Sequence, residues 1–287
     1  MNLFSKTSLP KYSPNTAHPT SLLALSTSLW SHRQLIIQMI KREVVGRYKG
    51  SIMGLTWSFF NPVIMLAVYT FVFSVVFKAR WGISNEESKT QFALVLFVGM
   101  IVHGLFAEGL NRAPGLILSN VNYVKKVVFP LEILPIISIG AALFHSIVSL
   151  GVLLVAFATF NEYINWTSVF IPLVLLPLVI LTLGMTWMLA SIGVFIRDVG
   201  QTTGIITTIL MFLAPVFYPI SALPENFHIW LLLNPLTFII EQAREVLIWG
   251  RSPDWIGLSI YTLVAITVAW LGFAWFQKTR KGFADVL

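Results

Sequence analysis

Apolar stretches long enough to cross a lipid bilayer recur along this chain, and they leave few alternatives to a bundle of membrane-spanning helices. The stretch from Met53 to Phe77 holds about 25 residues, which at ~1.5 Å each exceeds the ~30 Å hydrocarbon layer and allows some tilt. Comparable stretches cover Phe92 to Arg112, Leu131 to Phe160, Ser168 to Ile196 and Ile256 to Phe276. A further apolar region begins near Thr203 and is broken by Pro215, Pro219 and Pro224. With 56% hydrophobic and 11% charged residues, too few polar side chains remain to coat a water-soluble globule. The chain reads as an all-α membrane protein with six transmembrane helices.

Phe227 to Ile240 is too short for an ordinary crossing; Asn234-Pro235 interrupts it, and Glu241, Arg244 and Glu245 close it. It reads as a re-entrant or interfacial hairpin before the last span, tolerated where protein or a water-filled cavity satisfies the freed backbone. Six spans with the amino terminus inside leave only Lys78, Arg80, Lys89, Arg244 and Arg251 of the 19 basic residues on the far side. That asymmetry places both termini in the cytoplasm. Counting residues 227–240 as a seventh span weakens the asymmetry, and segment length decides for six. The expected organisation is a flexible tail over residues 1–20, an amphipathic interface helix over 21–50, the six-span domain over 51–277 and a cytoplasmic tail over 278–287. Pro62 should kink the first span, and residues 116–126 form a short helix ending before Pro130.

Ahead of the first span lies a basic amphipathic segment. At helical steps Ile36, Ile37, Met39, Ile40, Val44 and Tyr48 share one arc, and Gln34, Gln38, Lys41, Arg42 and Lys49 the other. Val45 on the polar arc, and Glu43 and Arg47 on the apolar one, break the pattern. Such a helix lies in the headgroup layer with its cations toward anionic lipid or phosphate. It can equally be an anchor that only orients the first span.

The sequence has no Gly-x-x-x-x-Gly-Lys-Ser/Thr pattern, so nothing in it binds ATP in the Walker manner and nucleotide energy must come from a partner. No cysteine is present, which excludes disulfides and thiolate metal sites. The ionisable residues within apolar stretches are His103, Glu108, Glu132 and His145, with Glu108 and Arg112 one helical turn apart and able to satisfy each other. They form neither a metal-ligand pattern nor a catalytic cluster. The formal charge of +7 is spread along membrane flanks and does not indicate nucleic acid. Aromatic residues gather in the first span and around the proline-broken region. They serve core packing and interfacial anchoring, or present flat apolar faces on which sugar rings slide.

Several motifs, taken in order, resemble the membrane subunit of bacterial ABC-type polysaccharide exporters, the family that moves O-antigen, capsule or teichoic acid chains made on lipid carriers. They are KREVVGRYKGSIMGLTWSFFNPV (Lys41 to Val63), KKVVFPLEILP (Lys125 to Pro135), SIGVFIRDVGQ (Ser191 to Gln201), FLAPVFYPISALP (Phe212 to Pro224), LLNPLTFIIEQAREVL (Leu232 to Leu247) and KGFADVL (Lys281 to Leu287). The closing FADVL is most similar to the O-antigen branch. The resemblance implies a homodimer joined to two separate ATPase subunits, which would bind ATP and Mg, with no cofactor in this chain. It implies a lipid-linked polysaccharide as substrate and the bacterial inner membrane as location. Lys41, Arg42, Arg47 and Lys49 are then candidates for the lipid headgroup, and Trp57, Phe60, Tyr69, Phe217 and Tyr218 for the polysaccharide path. Leu116, Asn120, Tyr123, Lys125 and Lys126 belong to the segment that would dock into the ATPase. Residues 215–244 would form short gate helices at the periplasmic mouth. A permease of the same architecture for a smaller amphipathic substrate, and a membrane enzyme acting on polyprenyl lipids, are the competing readings; the latter wants a carboxylate or His cluster at one membrane face that this sequence lacks.

Overall fold

The computed structural model describes residues 20–77, 81, 89–125 and 129–287, and among them every regular element is helical. The expected tail over residues 1–20 lies outside the described residues apart from Thr20, and so does Lys126. The helices are α1 Leu22–Ser31, α2 Arg33–Arg47, α3 Trp57–Tyr69, α4 Lys89–Arg112, α5 Val121–Lys125, α6 Ile133–Asn161, α7 Ile171–Phe195, α8 Val199–Phe212, α9 Glu225–Leu233, α10 Pro235–Leu247, α11 Trp255–Thr279 and α12 Phe283–Val286.

Among the described residues, five helical stretches are long and apolar enough to cross a membrane: Gly54–Phe73, Gln91–Gly115, Ile133–Asn161, Trp166–Phe195 and Trp255–Val286. The sixth expected crossing corresponds to α8, which is apolar but has 14 residues. At ~1.5 Å per residue it spans about 21 Å, short of the hydrocarbon thickness on its own.

Each helix sits where its small or polar residues allow. α4 runs through the centre, and its apolar side chains from Phe92 to Leu110 are nearly all buried. α7 and α11 lie against each other through glycine: a Cβ at Gly272 would meet the Gly184 carbonyl oxygen at 2.0 Å, and one at Gly184 would meet the Ala269 backbone. Without water to drive association, such close backbone approach supplies the van der Waals contact that holds helices together in lipid. α3 is attached differently. Only Ser58, Pro62 and Leu66, spaced four apart, are buried, while Phe59, Phe60, Val63, Ile64 and Val68 are exposed. Pro62 does not end α3; the irregularity follows as a π-helix over Thr70–Val76, a wider turn that uses i→i+5 bonds.

The two ends of the bundle differ. One carries α2, α5 and α12 and the basic residues Lys41, Arg42, Arg112, Lys125 and Arg280. There a second apolar cluster joins Ile36 and Met39 of α2 to Ile117, Phe129, Trp187, Phe276 and Phe283. Ile37, placed by periodicity on the apolar arc, is exposed instead, because the buried contacts of α2 follow Ile36, Met39 and Val44. In place of the single short helix expected over residues 116–126 stand a 3-10 turn, Leu118–Asn120, and α5, with a further 3-10 turn, Ala113–Gly115, just ahead of them.

The opposite end holds the broken region. α8 stops at Phe212, residues 213–218 form turns, and α9 and α10 follow. Asn234 caps α10 by accepting from Leu236 N at 3.0 Å, Pro235 takes the first helical position, and the Asn234 amide donates to Leu210 O at 2.8 Å. At the other end of α10, Thr167 donates to Val246 O and Asn165 to Leu247 O and Ile248 O. Side chains thus answer the carbonyls that a helix terminus leaves open. α10 is buried along most of its length, whereas α9 exposes Phe227, Ile229, Trp230, Leu232 and Leu233.

Candidate functional site

The turn joining α2 to α3 brings the basic segment over the mouth of a cavity. Gly50 adopts φ +89°, a left-handed conformation that lets the chain turn sharply after Lys49. The two charged residues that break the apolar arc of α2 find their partners here: Arg47 Nη1 lies 2.8 Å from Glu108 Oε1, and Glu43 pairs with Arg112. Arg112 also lies 3.5 Å from Glu108 on its own helix, the contact the sequence anticipates. Four charges of alternating sign therefore tie the surface helix to the central span.

Behind them, α3, α4 and α6 enclose about 490 Å³. Arg47, Tyr48, Glu108 and His145 stand at one end; Ser58, Asn61, Ser146 and Ser149 offer hydroxyl and amide groups; Trp57, Tyr69 and Phe97 offer aromatic surface. Tyr48 Oη is 3.5 Å from His145 Nδ1, with the rings edge to face. Burial pushes the Tyr48 phenol above its usual range, which keeps it a donor at neutral pH. Neutral donors and acceptors beside flat rings suit a hydroxylated ligand with apolar C–H faces, and the guanidinium at the mouth suits an anion.

The anticipated residues are distributed unevenly. Of the basic four, Arg47 lines the cavity and is ion-paired, Arg42 donates to Tyr123 Oη at 3.0 Å, and Lys41 and Lys49 are exposed. Of the aromatic five, Trp57 and Tyr69 line the cavity. Phe60 lies on the outer face of α3 against Phe59, Phe217 stacks between Phe73 at 6.2 Å and Phe212 at 5.5 Å, and Tyr218 donates to Phe212 O. In the connecting segment Leu116 is buried, Asn120 donates to Leu116 O, Tyr123 stacks on Phe129 at 4.4 Å, and Lys125 is exposed.

Asn61, Ser146 and Ser149 went unremarked in the sequence. His145, Ser146 and Ser149 do carry a signal, since they cluster within one turn of an otherwise apolar span. Arg244 was read as a polar boundary residue, and it is fully buried. Its Nε donates to Val95 O, its Nη1 to Pro215 O and Glu241, and its Nη2 to Val216 O. Glu132, another ionisable residue in an apolar stretch, pairs with Arg280 at 2.7 Å and accepts from Ser28 at 3.0 Å.

The family model for ABC-2 type transporters matches residues 34–248. The chain is 29% identical over 266 residues, covering 92% of its length and 99% of the other, to the O-antigen export system permease protein RfbA of Myxococcus xanthus. It is 24% identical over 255 residues, 88% of its length and 95% of the other, to the protein of that name from Klebsiella pneumoniae. A 23% identity over 245 residues, 84% of its length and 91% of the other, relates it to the polysialic acid transport protein KpsM of Escherichia coli.

Proposed function

The chain belongs to the ABC-2 type transporter family, and from that membership we propose that it is the permease subunit of an ATP-driven exporter that carries a lipid-linked polysaccharide, O-antigen before capsule, across the bacterial inner membrane. The observation that carries the substrate assignment is the cavity between α3, α4 and α6, where Arg47 meets hydroxyl, amide and aromatic groups. A lipid pyrophosphate cannot cross hydrocarbon unaided, because even one bare charge at the bilayer centre costs at least several kcal/mol. Lys41 and Lys49 attract the headgroup from the outer face of α2, and Arg47 receives it when Glu108 yields. Trp57 and Tyr69 support the first sugar rings.

The rest of the assembly follows the same reading. α8 with residues 213–219 makes the sixth crossing, α9 and α10 form a re-entrant hairpin on the periplasmic side, and the basic end and both termini face the cytoplasm, as the distribution of Lys and Arg favours. The apolar faces that α3 exposes are covered by a second copy of the chain. Two ATPase subunits dock beneath the α5 segment and bind the ATP and Mg that this sequence has no loop to hold.

Neutralising Arg47 and Lys49 together, as Arg47→Gln with Lys49→Gln, tests the headgroup assignment. Surface polysaccharide should fall while the protein remains in the membrane at its usual level. Normal surface polysaccharide in that variant would sink the assignment.

A further inference from the structure

We propose that Arg244 is a positioning residue that pins the helix break at Pro215 and Val216 against α4 and thereby fixes where Phe217 and Tyr218 stand. A chain that abandons helical structure after Leu213 leaves carbonyl groups without their i+4 donors, and at membrane depth no bulk water replaces them. Arg244 answers Pro215 O at 2.6 Å and Val216 O at 3.1 Å from one guanidinium, and the same group reaches Val95 O at 3.1 Å on α4. Three carbonyls from two backbone segments therefore meet on one planar fork, a geometry that the single ammonium head of lysine does not reproduce. Glu241 supplies the counter-charge at 2.8 Å, one turn back on α10.

A second line of contact leads from the same guanidinium to the same place. Its centre sits 4.2 Å from the Trp81 ring. From Trp81 the rings continue through Phe92 at 5.4 Å, Phe73 at 5.5 Å and Phe217 at 6.2 Å. Arg244 thus holds both the backbone just before Phe217 and the far end of an aromatic row that runs to it. Gly99 makes room for this: a Cβ there would lie 3.1 Å from Arg244 Nη2 and 3.3 Å from Val216 Cα.

The consequence for transport rests on the reading of the broken region as the exit side of an exporter, whereas the pinning itself does not. The chain contains no cysteine, so thiols introduced into it are the only ones it carries and are read on its own band. In the complex with its ATPase, Arg244→Met should raise the rate at which a membrane-impermeant maleimide labels Tyr218→Cys, and should lower polymer export by roughly tenfold, the scale expected for buried carbonyls left unanswered. In the Arg244→Met background, Gly99→Cys with Val216→Cys places two thiols within reach of a disulfide, and its oxidation should restore export that reduction removes again. Unchanged labelling in Arg244→Met, or an oxidised bridge that leaves export low, overturns the proposal. Raised labelling with normal export supports the pinning and overturns the exit reading. Should Arg244→Met not accumulate, Arg244→Lys, which keeps the charge but loses the fork, carries the same readouts with the same expected directions.

Discussion

Arg42 donates a hydrogen bond of 3.0 Å to the Tyr123 hydroxyl across 81 residues of sequence. The contact joins the basic surface helix to the segment that is proposed to meet the ATPase, and Tyr123 passes it on by stacking against Phe129, whose carbonyl accepts from Arg280 at 2.9 Å. An anion drawn to Arg42 competes for the donor that holds Tyr123. Under the proposed function, substrate bound at one segment would then be felt at the other.

Tyr123→Phe removes the acceptor and keeps the stack. ATP hydrolysis by the assembled complex in vesicles should then respond less to added polyprenyl pyrophosphate, by up to about fivefold for a hydrogen bond worth ~1 kcal/mol. Arg42→Gln combined with Tyr123→Phe should do no more than either change alone. Undiminished stimulation in Tyr123→Phe would separate the two segments.

The cavity divides the aromatic candidates. Trp57→Ala and Tyr69→Ala should each slow polymer export while assembly with the ATPase persists, because both rings line it. Phe60→Ala, on the outward face of α3, should instead weaken association between copies of the chain. Export rates and cross-linking yields for the three variants decide the matter, and a uniform response would return Trp57 and Tyr69 to a packing role.

Two glycines in long helices should respond with opposite sign. Gly272→Ala drives a methyl group into the Gly184 backbone and should cost about 1–3 kcal/mol. Gly151→Ala meets nothing within 4 Å and should be neutral or stabilise by up to about 1 kcal/mol, since alanine restricts the unfolded chain. Thermal unfolding in detergent measures both; the packing argument is falsified if Gly272→Ala is the more stable of the two.

Phe283 is fully buried against Phe276 and Phe195, so the last helical turn is part of the body of the protein. Phe283→Ala should cost about 3–5 kcal/mol locally and expose the final residues to carboxypeptidase while the spans stay protected. Equal digestion of the parent chain and the variant would contradict this.

The sequence made the all-helical class plain, together with the bounds of the third and last spans: Leu131 to Phe160 expected against Ile133–Asn161 found, and Ile256 to Phe276 against Trp255–Thr279. What it concealed were faces and partners. In a membrane bundle the sides of a helix that meet lipid and protein are both apolar, so periodicity carries little information about which residues are buried. Glu43 and Arg47 looked like flaws in an amphipathic pattern until Arg112 and Glu108 stood opposite them. Arg244 looked like a boundary because charge usually marks one, and nothing local announces that three carbonyls from distant segments need its donors. The expected sixth crossing finds no full-length helix of its own, since α8 has 14 residues and is too short to span the hydrocarbon alone.

α3 buries only Ser58, Pro62 and Leu66 and sets Tyr69 against Phe97 at its end, whereas α7 and α11 are in backbone contact through Gly184 and Gly272. Peeling the first away uncovers a few side chains, while parting the second pair forfeits an interlocked joint. Rigidity is thus apportioned unequally around the molecule: α7 and α11 form one joined beam, and α3 is a stave held to its neighbours by side chains.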